Sequence, residues 1–235
     1  MINYFDYDYP TPDAQTPSPL RVSYEQAPAP WNTTHQLLRI GLKTKSLDLS
    51  NTPPSHLVFL IDVSGSMMDY NKLPLLKSSL KLLLQNLKPQ DKVSIVTYAS
   101  GTQVALEPTS VREREKIEKV LDGLEAGGAT SGERGIQLAY EQAHKAFIKG
   151  GNNRIILATD GDFNVGINNP NDLKAFIEKQ REGGVYLSVL GFGMGNYRDD
   201  MSETLADSGN GNYAYIDNLT EAKKVLVNEF GGTLF

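Results

Sequence analysis

The sequence predicts an α/β fold: a Rossmann-like, doubly wound, mostly parallel six-stranded sheet with one antiparallel edge strand and helices on both faces. An N-terminal extended arm with a small extra β element precedes it. Three observations carry this prediction. From His56 onward, short apolar runs alternate with stretches of helical period, the pattern of a parallel sheet covered on both sides. The first run, Leu57-Val58-Phe59-Leu60-Ile61, is apolar at every position, which suits a strand buried on both faces. Composition also changes near residue 31, because six of the 12 prolines lie in the first 30 residues.

The elements follow in order. Pro10, Pro12, Pro17, Pro19, Pro28 and Pro30 exclude a regular helix from the arm, since proline lacks a donor and fixes φ. Tyr4, Phe5, Tyr7, Tyr9 and Tyr24 are more aromatic surface than a solvated linker needs, so the arm is expected to pack on the main domain or to engage another chain. Leu20–Tyr24 and Leu38–Leu42 alternate like short strands that could pair. Asn51-Thr52-Pro53-Pro54 reads as a linker, giving an arm at 1–55 and a main domain at 56–235.

After the first strand, Leu73, Leu76, Leu80, Leu83, Leu84 and Leu87 form one stripe of a helix at about 72–87. Val93–Tyr98 is the next strand. Ser100-Gly101 turns into Thr102–Leu106, expected to run back antiparallel at the edge. Ile117, Val120, Leu121 and Leu124 mark a second helix, and Ile136, Ala139, Tyr140, Ala143 and Phe147 a third. Strands at 155–158, 185–190 and 213–216 alternate with helices at about 171–182, 198–206 and 220–230. Gly231-Gly232 ends the last helix, and Thr233-Leu234-Phe235 resembles a strand cut short, so a longer natural protein is expected.

Composition excludes several classes. With 40% apolar and 22% charged residues the chain is neither disordered nor fibrous. No apolar run approaches the ~20 residues a membrane-spanning helix needs, and Met1–Asp6 lacks the basic and apolar regions of a signal peptide. A net charge of −5 argues against nucleic acid as a partner. Without cysteine there is no thiolate zinc site or cysteine nucleophile, and His35, His56 and His144 form no zinc-enzyme motif.

Open α/β sheets bind ligands beyond the carboxyl ends of the strands, where the strand order switches. In the order 3-2-1-4-5-6, strands 1 and 4 flank that crevice. Strand 1 ends in Asp62-Val63-Ser64-Gly65-Ser66, and strand 4 in Thr159-Asp160-Gly161-Asp162. The loop Gly127-Gly128-Ala129-Thr130-Ser131-Gly132 can fold toward the same place. The candidate ligands Asp62, Ser64, Ser66, Thr130 and Asp160 are all oxygen donors, which select a hard divalent cation: Mg²⁺ first, with Ca²⁺ or Mn²⁺ as alternatives. Asp-x-Ser-x-Ser aims three side chains at one point, and Gly65 gives the backbone room to turn. Gly65 and Asp162 are candidates for the surrounding shell. Two carboxylates at most balance the divalent charge; if one of them acts only through water, the metal stays electron-poor with an open position and would attract a partner's acidic side chain. Each piece alone has an ordinary reading as a helix cap or turn; the combination at the right strand ends points to metal. Gly191-Phe192-Gly193-Met194-Gly195 is expected to pass near the site as a plain loop, since a dinucleotide fingerprint belongs after strand 1.

The stretch from about 56 to 230 resembles the von Willebrand factor type A domain. Asp62, Ser64, Ser66 and Met67 match the first element of its metal-ion-dependent adhesion site (MIDAS), Thr130 the second and Asp160 the third. The resemblance implies that Ser64 and Ser66 bind the metal directly and Asp62 through water. Thr130 and Asp160 would exchange direct and water-mediated roles; the last helix, at 220–230, is expected either to be a static core helix or, as in some members of the family, to shift with ligand. Asn3–Pro10 and Trp31–Leu42 resemble the N-terminal segment found before this domain in a bacterial group. Members of that group are commonly exported, often as lipoproteins of the cell envelope, which implies the periplasm or cell surface. The implied function is a non-enzymatic protein-binding module whose partner supplies Asp or Glu to the metal. Two alternatives remain: a Mg²⁺-dependent hydrolase or phosphotransferase, and a structural subunit whose metal only stabilises the fold. Against the first, Ser64 stands where an aspartyl-phosphate enzyme needs a second carboxylate, and no lysine is clearly placed to bind phosphate.

Overall fold

The computed structural model describes residues 7–13, 18–45, 52–130, 134–161, 169–193 and 199–228. The chain divides into two compact units, Met1–Asn51 and Thr52–Phe235.

The first unit is an antiparallel hairpin of β1 (Leu20–Ala29) and β2 (Asn32–Thr44), paired from Leu20↔Thr44 to Ala29↔Asn32 with a bulge at Pro28/Ala29. Both strands run longer than their alternating cores suggest, because threonine, glutamine and charged side chains are at home on a solvated sheet face. Residues 7–13 cross the face that carries Ser23, Arg39 and Gly41. Arg39 lies over the Tyr9 ring at 5.4 Å, and Arg21 Nη1 donates to the Thr11 carbonyl at 3.3 Å. A Cβ at Gly41 would come within 2.8 Å of that ring, so glycine is what lets Tyr9 lie flat on the strand.

The second unit holds a six-stranded sheet in the order β5-β4-β3-β6-β7-β8. Its strands are β3 (Ser55–Asp62), β4 (Lys92–Tyr98), β5 (Thr102–Ser110), β6 (Asn152–Thr159), β7 (Val185–Phe192) and β8 (Tyr213–Ile216). All neighbours are parallel except β4 and β5. The antiparallel β5 is the edge, where Pro108 is tolerated because no ladder continues outside it. Val58 and Leu60 of β3 join Val96, Ile155, Leu157, Leu187, Val189 and residues of α3 (Gly135–Lys145), α4 (Pro170–Glu182) and α5 (Asp199–Ser208) in one buried cluster. By the period of two, Leu57, Phe59 and Ile61 face the other side, and they too are fully buried. On the helical layers, α1 (Leu73–Leu84) contacts α2 (Arg114–Asp122) and α6 (Leu219–Lys223).

Three boundaries differ from expectation. α1 stops at Leu84 rather than near 87, since Pro89 disfavours helix before it; Leu87 still buries from the turn. Phe147 lies beyond α3 and is 41% exposed, stacking on His144 and touching the Cβ position of Gly184 instead of the core. The last helix is α-helical only over Leu219–Lys223, capped by Asn218 Oδ1 on Glu221 N at 2.9 Å, and widens to a π-turn over Lys224–Asn228. Residues 229–235, including the expected end of that helix and the expected strand, lie outside the described residues.

Asp91 ties the sheet's entrance together. Its Oδ1 accepts from Ser55 N and its Oδ2 from Lys88 N, both at 2.7 Å, and the residue is buried. Asp91→Ala leaves two main-chain donors unmatched, Ser55 N at the start of β3 and Lys88 N in the turn before β4. The variant should lose about 3 kcal/mol in urea unfolding, with an unchanged m-value because the fold itself persists.

Candidate metal centre

β3 lies between β4 and β6, and the connections leaving it diverge, which opens a crevice above the carboxyl ends of β3 and β6. Asp62 ends β3 and is completely buried. Its Oδ1 accepts from Ser64 N at 2.8 Å, which turns the chain sharply out of the strand. Residues Gly65–Met68 then form one 3₁₀ turn pinned by the fully buried Met67. This turn brings Ser64 Oγ and Ser66 Oγ to 3.0 Å of each other, with Ser64 buried and Ser66 exposed. Two hydroxyls at that separation on one rim match adjacent corners of a cation's oxygen shell.

The second loop is stitched to the first by the main chain. Gly127 N donates to Val63 O at 2.8 Å, and Gly65 N to Gly128 O at 3.0 Å. A Cβ at Gly65 would lie 3.3 Å from Gly128 O, so Gly65 acts by letting the two loops close up. Gly128 has φ +80°, and Ser100 Oγ fills the space a side chain would need while accepting from Ala129 N at 2.9 Å. Thr130 stands half-buried at the end of this braced stretch. Asp160 follows β6, its side chain only 4% exposed, and Gly161 turns away with φ +103°. Asp162 and Ser131 lie outside the described residues.

Electrostatics at this end of the sheet are unfavourable to the bare protein. Burial pushes the Asp62 carboxyl up from its ordinary value to about 6; the Ser64 hydrogen bonds pull it down, and the Asp160 charge pushes it up further. Asp62 Oδ2 and Asp160 Oδ1 are buried without hydrogen-bond partners among the described residues. The Tyr98 hydroxyl makes no close hydrogen bond among the described residues either, but it interacts with Asp62 and helps to hold that carboxyl down, while burial and then the Asp62 charge drive its own phenol well above the usual range. Buried carboxylate oxygens are seldom left unmatched, and a cation would supply what both lack. Among the described residues no three His, Cys, Asp or Glu gather at one point. The donors are two carboxylates with serine and threonine hydroxyls, a set that fits a hard divalent ion.

Sequence reasoning missed Lys72. Its Nζ donates to Asp160 Oδ2 at 2.8 Å and to Ser66 O at 2.9 Å. The sequence shows no lysine clearly placed to bind phosphate; the fold does bring one to the crevice, where it is engaged by Asp160 and the Ser66 carbonyl. A signal existed: Lys72 is the N-cap of α1, a helix end where the dipole disfavours a cation. Of the glycine-rich stretch 191–195, Gly193 does lie close by, since a Cβ there would fall 2.9 Å from Lys72 Cε; Met194 and Gly195 lie outside the described residues.

The raised carboxyl value ties stability to pH. Between the unfolded carboxyl value near 4 and the folded value near 6, the native state holds more protons than the unfolded chain. The contribution of Asp62 to stability is present below pH 4 and is lost as pH rises past 6, amounting to about 3 kcal/mol. In EDTA, Asp62→Asn should cancel this decline, seen as a flatter plot of unfolding free energy between pH 4 and 7.

The family model for the von Willebrand factor type A domain matches residues 56–228, and one described as von Willebrand factor matches residues 1–39. The protein YfbK of Escherichia coli (strain K12) is 49% identical over 234 residues, covering 97% of this chain and 41% of its own length. The chain spans less than half the length of the first curated relatives it matches. Among solved structures, BatB from Bacteroides thetaiotaomicron aligns with a TM-score of 0.62 at 20% identity, covering 76% of this chain and 98% of that one. Proximal thread matrix protein 1 from the mussel byssus, solved with a zinc-occupied MIDAS motif, aligns at 0.58 and 20% identity, covering 75% of this chain and 45% of that one. The structural likenesses show the fold, and with the family match over residues 56–228 the chain belongs to the von Willebrand factor type A domain family.

Proposed function

We propose that this chain is a metal-dependent protein-binding module of the bacterial cell envelope, acting in the periplasm or at the cell surface without catalysing a reaction. Ser64, Ser66, Thr130 and Asp160 hold a divalent cation, Mg²⁺ in the cell, with Asp62 acting from behind through water and through its hold on Ser64 N. The bound ion supplies an open, electron-poor coordination position. A partner protein fills that position with an aspartate or glutamate side chain. The arm at 1–55 is a separate unit from the binding domain at 56–235.

One observation carries this reading: two buried carboxylate oxygens, Asp62 Oδ2 and Asp160 Oδ1, lack partners among the described residues beside the paired hydroxyls of Ser64 and Ser66. Hydroxyl donors bring no charge, so they hold a cation without quenching it. The exposed Ser66 lies on the open rim, and beside it Met68 and Tyr70 are 67% and 81% exposed, a surface for contacts around the acidic anchor. No helix among the described residues is long and apolar enough to cross a membrane.

Metal should raise the melting temperature. At about 10 mM, an ion with a dissociation constant of ~0.1 mM adds about 2.7 kcal/mol, a rise of about 5–10 °C for a domain this size. Ser66→Ala, an exposed position whose loss leaves the core intact, should abolish the rise. Capture of envelope proteins on the immobilised chain should then require Mg²⁺ or Mn²⁺ and fail with Ser66→Ala. A metal-dependent melting shift with capture indifferent to EDTA would replace this reading with a metal that only stabilises the fold.

A further inference from the structure

We propose that Lys72 is a tethered cation that sets the metal affinity of the centre and chooses which oxygen of Asp160 meets the metal. This rests on the metal-site reading above. Three observations support it independently of the ligand motif. The ammonium is not a loose surface group: it bridges Asp160 Oδ2 and Ser66 O at 2.8 and 2.9 Å, with its side chain 18% exposed and that of Asp160 4%. The chain makes room for it, because Gly193, at φ +107°, leaves open the space where a Cβ would press on Lys72 Cε and Cγ. It also uses only one carboxylate oxygen, leaving Asp160 Oδ1 buried without a partner among the described residues. Lysine thus fixes the rotamer of Asp160 and presents Oδ1 to the crevice.

The consequence follows from charge balance. Asp62 and Asp160 alone would neutralise a divalent ion. With the ammonium also present, one positive charge is left over when metal binds, and a single carboxylate of a partner cancels it. The metal alone therefore binds weakly, and the complex with an acidic side chain is the neutral state. Lys72 turns a sufficient site into one that requires a partner.

Titration calorimetry with Mn²⁺ alone, on the full chain, tests this. Lys72→Met and Lys72→Gln remove the charge and should bind Mn²⁺ at least about tenfold more tightly than wild type, since a unit charge near a divalent ion in a partly buried site repels it strongly. Lys72→Arg keeps the charge and should bind like wild type. Should the methionine variant fail to fold, the glutamine variant, which retains a donor to Asp160, decides by itself. Equal or weaker binding in the uncharged variants would overturn the proposal and make Lys72 a brace only, while leaving the metal site standing. Binding heat no greater than the Ser66→Ala background in every protein would sink the metal site and this proposal together.

Discussion

Two buried carboxylates at adjacent strand ends are the constraint around which this molecule is organised. Asp62 and Asp160 leave the sheet on β3 and β6, where parallel strand order forces the loops apart and opens a crevice. Neither is solvated, and each retains an oxygen without a partner among the described residues. Like charges in such surroundings destabilise one another. The neighbourhood answers with donors. Ser64 N holds one oxygen of Asp62, and the Lys72 ammonium holds one of Asp160. The two oxygens left over call for one positive group between them.

The loops can serve that group because they are rigid. Gly65 and Gly128 allow main chain to meet main chain, and Ser100 locks the second loop from below. Met67 anchors the turn in the core, so the hydroxyls of Ser64 and Ser66 are held to each other by the backbone rather than by a ligand. A site assembled in this way costs little ordering entropy when it binds, which is how weak neutral donors can hold an ion at all.

Much of this is legible in the residues alone. Recurrent apolar runs announce the parallel strands, and the fold rule for strand ends singles out Asp62 and Asp160 together. Pairing of Leu20–Tyr24 with Leu38–Leu42 follows from alternation, though its extent does not, because solvated polar residues in a hairpin carry no period. Lys72 is legible only as a cation misplaced at a helix start; its contacts are not, since they depend on a residue 88 positions away in sequence and on a slot left by a glycine further still. Phe147 shows the opposite error. It continues a helical stripe on paper, yet α3 ends at Lys145 and the ring stacks on His144 over Gly184. Local period reports which face a residue would share if the helix continued, not whether it continues.

The same electrostatics tie stability to function. A site that holds Asp62 in a poorly solvated place with its carboxyl value at about 6 is strained at neutral pH until a cation arrives. A cation bound there would relieve that strain, so metal binding and folding stability would rise together. A lysine that already satisfies half of Asp160 moderates the strain in the free protein, and by the same charge it would weaken the hold on a metal. If the proposed site is occupied, the balance between these two effects would place the final gain in the complex, where a partner's carboxylate would remove the surplus charge. On the proposed reading, the gain in stability from metal would be largest once a carboxylate from outside completes the site.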